Sequence, residues 1–167
     1  ARRDNFSFPQ LRMINYAGEH LSSAAEAHVA SALGVSRIKA GAYTSADVGI
    51  MGYQCDHVGP GVYHVPTAFQ YLELINFDEG RRAGIGEQGE VVATNLSRVS
   101  TPIIRYRVAD VASWTGETCP CGVRIALLKL GGRAGQDFKL GGGFISLDLF
   151  ETCIARYPEQ LSLNFQL

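Results

Sequence analysis

The sequence predicts an α/β protein with mixed β structure, laid out as an α/β stretch over 1–50, an all-β stretch over 51–132 and the start of a small mobile α+β piece over 133–167. Three observations carry this. A strand, a helix and a second strand follow one another between Leu11 and Ala40. From Met51 onward, runs of strand length alternate with Gly/Pro turns, and near the end two glycine clusters, 131–135 and 141–143, flank a short arm. The 19 glycines favour turns and loop-borne sites over a helical bundle, and 46% hydrophobic residues are enough for a core.

The charge balance excludes some functions. A net charge of -1, with acids and bases interspersed, leaves no electrostatic footprint for nucleic acid or an anionic membrane, so neither is expected as a partner. No apolar run has membrane-spanning length and nothing resembles an export signal, which makes the cytoplasm the expected compartment. A homodimer is left open.

Leu11 to Tyr16 is an apolar run of strand length that feeds the turn Ala17-Gly18-Glu19. Ser22 or Ser23 caps the next helix, with Glu26 completing a capping box and Gly34 ending it; Ala25, Val29, Ala32 and Leu33 share the covered face. His28 reads as a packed or partly exposed histidine. Val35 to Ala40 is the next strand and runs into the polar loop Tyr43-Thr44-Ser45-Ala46-Asp47, the kind of position at which open α/β sheets bind ligands.

Beyond Met51, strands are expected at Val62 to Val65, Ala68 to Phe77 and Glu90 to Asn95. In the second of these, aromatic and aliphatic residues alternate, which predicts a strand covered on both sides. Ile103, Ile104, Tyr106 and Val108 alternate with Arg105, Arg107 and Ala109, so a half-buried strand delivers Asp110 at its end. Gly131 to Gly135 then break the chain, and Asp137 to Leu140 with Phe144 and Ile145 form a ribbon that carries Lys139. A last helix from Ser146 places Leu149, Phe150, Cys153, Ile154 and Tyr157 on one side, with Cys153 in the core.

Cys55-x-His57 and Cys119-Pro-Cys121-Gly122 carry the sharpest local chemistry. Tetrahedral Zn²⁺ takes four N/S ligands, and two short two-ligand turns brought together by a β fold are a common way to build a structural site. Cys55, His57, Cys119 and Cys121 are therefore the expected ligands, with His64 as the spare imidazole and Asp56 as the one nearby carboxylate. The alternative is reduced thiols at a β-turn beside an unrelated histidine.

The run Ile104-Arg105-Tyr106-Arg107-Val108-Ala109-Asp110, the Gly132-Arg133 turn and the Lys139-x-x-Gly142 loop together resemble the acyl-adenylate-forming superfamily, in particular its phenylacetate-CoA ligase branch. The likeness runs from about Asn15 to Glu151. Gly89-Glu90-Val91-Val92 resembles a turn of that family's distorted β-barrel subdomain. Such enzymes activate a carboxylic acid, here expected to be aromatic, with ATP and Mg²⁺ as acyl-AMP and pass the acyl group to coenzyme A.

On this resemblance Asp110 holds both ribose hydroxyls and Arg133 reaches the ribose and phosphate side. Gly18 and Glu19 lie beside adenine, Tyr43 stacks on it, Ser45 and Thr44 sit in the phosphate-facing loop, and Asp47 helps hold Mg²⁺. Thr44, Ala46 and Asp47 replace the family's Gly, Thr and Glu; the lost threonine hydroxyl is a contact of about 1.5–3 kcal/mol. Lys139 swings in for thioester formation about the Gly132 to Gly135 hinge, although a solvated lysine reads nearly as well. The family's phosphate loop and late catalytic lysine have no counterpart in the chain, which is expected to be an inactive fragment on its own. Two alternatives remain: an adenylating enzyme that hands its acyl group to a carrier or amine, and a non-catalytic zinc-stapled β module.

Overall fold

A computed structural model describes residues 8–18, 21, 23–135, 138–140, 143–145 and 153. It is mixed α/β, with a small parallel pair of strands beside a larger, mostly antiparallel sheet. Strand β1 (Met13–Tyr16) leads through helix α1 (Ser23–Leu33) to β2 (Arg37–Ala40), which pairs with β1 in parallel. Glu26, expected in a capping box, is buried and accepts a 2.9 Å hydrogen bond from the Tyr16 hydroxyl. That bond ties the helix to β1.

The large sheet begins at Ala42. Its strands are β3 (Ala42–Ser45), β4 (Gly49–Tyr53), β5 (Val62–His64), β6 (Gln70–Ile75), β7 (Gln88–Asn95), β8 (Tyr106–Trp114) and β9 (Leu127–Arg133), in the order β3-β4-β5-β9-β8-β7-β6. Val48, Met51, Leu74, Val91 and Leu128, all essentially inaccessible, form the centre of the core. The β3–β4 turn reaches β6 and β7 through side chains: the Val48 carbonyl accepts from the Gln70 amide of β6 at 3.3 Å and the Asn95 amide of β7 at 2.8 Å. β10 (Phe138–Leu140) and β11 (Gly143–Ile145) form the two-stranded ribbon the sequence predicts, with Lys139 opposite Phe144.

Several elements differ from the sequence reading. Residues 43–45, expected in a loop, form β3, because a hairpin with β4 satisfies their backbone groups. Strand β8 starts at Tyr106, after Arg105 in the left-handed region (φ 48), and continues through Asp110 to Trp114. Strand β9 takes in Gly131, Gly132 and Arg133, which the sequence reads as a break; the ladder to β8 outweighs glycine's weak strand preference. Phe69 and Tyr71 are exposed, so the aromatic side of β6 faces outward. Cys153 is exposed rather than in the core, since helical spacing shows which residues share a face but not what covers it. The other residues expected in that last helix, together with Glu19, lie outside the described residues.

Candidate functional site

The site grows from an irregularity in β8. Its pairs with β7 pass from Val92↔Arg107 to Glu90↔Val111, leaving Val108, Ala109 and Asp110 opposite Val91 alone. Ala109 absorbs the excess in the left-handed region (φ 63), which costs a residue bearing a Cβ and re-aims the next side chain. Asp110 is therefore presented from mid-strand. On the other side, β9 brings Arg133 into register with Asp110, and its Nε lies 3.4 Å from Asp110 Oδ1.

Tyr43 on β3 donates its hydroxyl to Asp110 Oδ2 at 2.8 Å. Its ring is 6% exposed and tilted against Tyr63, at 5.7 Å between centroids. Alternate residues of β3 face the core, so Tyr43 offers the site its hydroxyl edge and not a ring face for stacking. Burial pushes the Asp110 carboxyl above the usual carboxylate range; the Tyr43 hydrogen bond and the Arg133 charge oppose this without cancelling it. Burial and the neighbouring Asp110 hold the Tyr43 phenol well above its ordinary value, so it stays a donor.

The β3–β4 turn places Asp47 near the same network. Asp47 Oδ2 accepts from the Tyr106 hydroxyl at 2.7 Å, and Arg133 is close enough for its charge to be felt at that hydroxyl. The Asp47 carbonyl accepts from Arg98 Nη1 at 2.7 Å. Ser45 Oγ accepts from the Val48 N–H at 3.1 Å, and among the described residues its hydroxyl has no acceptor. Thr44 and Gly18 are exposed. Tyr43, Ser45, Asp47, Asp110 and Arg133 are thus gathered into one region. Lys139 lies on β10, and its side chain is outside the described residues. The sequence shows Tyr106 only as a residue of the alternating strand motif and gives Arg98 no role; nothing local ties either residue to the remote Asp47.

A second cluster joins β5 to two loops. Cys55, His64, Cys119 and Cys121 offer ligand atoms that all lie within 4.8 Å of one another. Cys55 Sγ is 3.5 Å from Cys119 Sγ and 3.3 Å from His64 Nε2, and Cys121 Sγ is 3.6 Å from His64 Nε2. The imidazole in this group is His64, not His57. Strand β5, hydrogen-bonded to both β4 and β9, aims His64 inward, while His57 lies in the turn and contributes its backbone N–H to Cys55 at 3.4 Å. Asp56 is held by Lys39 and by Arg37 at 3.3 Å. Burial pushes the Cys55 thiol up, but hydrogen bonds from the His57 N–H, His64 and the other two thiols outweigh this and bring it to about 6. At Cys119 the Cys121 N–H lowers the thiol, yet burial and the neighbouring sulfurs raise it to about 11. Thiolate charge therefore settles first on Cys55.

No protein-family model matches the sequence, and no curated protein is detectably similar to it. Solved structures are similar in fold. A 2-hydroxyisobutyryl-CoA ligase in the postadenylation state, in complex with 2-HIB-AMP, superposes with a TM-score of 0.73 at 20% identity, over 87% of this chain and 31% of that one. An anthranilate CoA ligase in complex with anthranoyl-AMP superposes with a TM-score of 0.61 at 20% identity, over 89% of this chain and 29% of that one. The fold is that of a segment of the adenylate-forming acid–CoA ligases. The chain spans about a third of the length of these enzymes.

Proposed function

We propose that the chain is the nucleotide-gripping segment of an ATP-dependent acid–CoA ligase. One observation carries the reading: Asp110 is held between Tyr43 and Arg133 at a distorted point of β8, and Tyr106 of the same strand donates to the Asp47 carboxylate in the turn that follows Tyr43's strand. A carboxylate so placed accepts hydrogen bonds from both hydroxyls of a ribose, and Arg133 beside it meets phosphate charge. The acid's carboxylate oxygen attacks the α-phosphorus of ATP, the bond to the β-phosphate oxygen breaks and pyrophosphate leaves. The coenzyme A sulfur then attacks the acyl carbon, and AMP leaves. The chain's share is positioning and charge neutralisation. Tyr43 braces Asp110 from the core side, Ser45 donates to phosphate, Gly18 and Glu19 border the adenine, and Lys139 arrives on the 133–167 piece for the second step. We take the acid to be aromatic, on the strength of the sequence resemblance.

Asp47 suits Mg²⁺. It is an exposed hard oxygen donor, and among the described residues no hydrogen bond reaches its Oδ1; one carboxylate with waters and substrate phosphates is this ion's usual environment. When bound, the ion neutralises charge developing on the phosphates.

The second cluster suits Zn²⁺. Zn–S bonds of about 2.3 Å and Zn–N bonds of about 2.0 Å place tetrahedral ligands about 3.8 Å apart for two sulfurs and about 3.5 Å for a sulfur and a nitrogen; the Cys55–Cys119 sulfurs are 3.5 Å apart, and His64 Nε2 is 3.3 and 3.6 Å from the Cys55 and Cys121 sulfurs. Cys55, His64, Cys119 and Cys121 would hold the ion as a closed structural site. Free thiols there fit a reducing compartment such as the cytoplasm.

ATP–pyrophosphate exchange by the full-length protein, over a panel of aromatic and aliphatic acids, tests the reading. Exchange with at least one acid, followed by coenzyme A consumption, is expected, and Asp110→Ala should abolish nucleotide binding. Exchange without coenzyme A consumption would move the reading to a carrier- or amine-acylating enzyme. Absence of nucleotide binding would leave only the metal-stapled β scaffold.

A further inference from the structure

The turn that carries Asp47 is held more firmly than an exposed loop requires. Asp47 sits at the tip of the β3–β4 hairpin, yet it and Val48 receive hydrogen bonds from a segment far along the chain. Arg98 Nη1 donates to the Asp47 carbonyl at 2.7 Å, Asn95 Nδ2 to the Val48 carbonyl at 2.8 Å, and the Tyr106 hydroxyl to Asp47 Oδ2 at 2.7 Å. The first two fix the backbone. Tyr106 alone among the described residues fixes the carboxylate.

Tyr106 is itself rigidly mounted. It opens β8 paired with Ala93 of β7, directly after Arg105 in the left-handed region. The Arg105 N–H donates to Thr94 Oγ1 at 2.9 Å and its guanidinium to the buried Glu73 at 3.0 Å. A ring on so fixed a base has two side-chain torsions, so it holds its partner at a smaller entropy cost than a lysine or arginine would. The arrangement leaves one carboxylate oxygen engaged and the other open, as a monodentate cation ligand needs.

We propose that Tyr106 is a positioning residue: its hydroxyl orients the Asp47 carboxylate so that Oδ1 is presented to the divalent cation that accompanies ATP. This offsets a side chain one methylene shorter than glutamate. The inference rests on the adenylation reading above.

The test uses the full-length protein and Mn²⁺ as the probe, with free Mn²⁺ counted by electron paramagnetic resonance in the presence of ATP. Tyr106→Phe should weaken Mn²⁺ binding on the order of 10-fold, the scale seen when a partner that orients a metal ligand is removed. The KM for the acid and the melting temperature should stay unchanged. Asp47→Glu supplies the missing methylene, so adding Tyr106→Phe in that background should change Mn²⁺ binding by less than about 2-fold, against the ~10-fold loss in the Asp47 background. Equal losses in both backgrounds would show that Tyr106 acts on the fold at large, and undiminished Mn²⁺ binding in Tyr106→Phe would show that it orients nothing. Either result overturns the proposal alone. Failure of the unsubstituted protein to bind nucleotide would overturn the adenylation reading and this inference with it.

Discussion

Asp110 is subject to opposed pressures, and they give its pH behaviour a definite sign. Its carboxyl lies above the usual range in the folded state, chiefly through burial. Between the ordinary aspartate value and the raised one, the native state therefore binds more protons than the unfolded chain. Stability should rise as pH falls through that window. ATP affinity should move the other way, because a protonated carboxyl cannot accept from both ribose hydroxyls. Calorimetric titration with ATP and urea unfolding, each across pH 4 to 7, check this, and Asp110→Asn should remove both dependences. Coincident losses of stability and affinity on acidification would contradict it. That a strand carries Asp110 was legible from the alternation of the arginine-flanked run before it. Its bracing by Tyr43 was not, since the two residues meet only when β3 and β8 are folded.

Among the elements, β4 and β5 show how the sheet serves the Cys/His cluster. Gly52 faces Tyr63, and a Cβ there would sit 2.9 Å from Tyr63 Cβ and 3.2 Å from the His64 carbonyl oxygen. Backbone and Cβ cannot yield cheaply. Gly52→Ala should cost about 1–3 kcal/mol, as overpacking does, and should weaken metal binding by moving β5, which carries His64. Thermal unfolding and competition with a chromophoric zinc chelator measure the two effects; a stability loss with unchanged zinc affinity would mean that β5 does not position the imidazole. Strand runs at β5, β6 and β7 were readable from alternation and turn residues. β9 was not, because glycines that look like a break to local propensity are where the backbone runs close beside β8.

For the whole molecule, the Cys/His cluster bridges chain segments that local sequence leaves unrelated. It joins the 55–64 region to the 119–121 turn, close in sequence to β4 and β8. A structural zinc of this type supplies on the order of 10 kcal/mol of apparent binding energy. Chelation should therefore loosen 53–66 and 115–124 in hydrogen exchange while the β6–β7 ladder keeps its protection. Unchanged exchange in those loops, together with no zinc by elemental analysis, would remove the metal.

The sequence by itself determined the α/β beginning, the β-rich middle and the residue types of both sites. The elements follow from side-chain period and turn chemistry and the thiol cluster from its spacing, while the residues of the other site were read from the motif resemblance; all of these signals are local. Only the tertiary structure decided that His64 and not His57 joins the three thiols, that Tyr43 turns its ring inward, and that Tyr106 meets Asp47. Each of these depends on which strands lie side by side and in which register, and the backbone pairing that sets the register carries no mark in the local sequence.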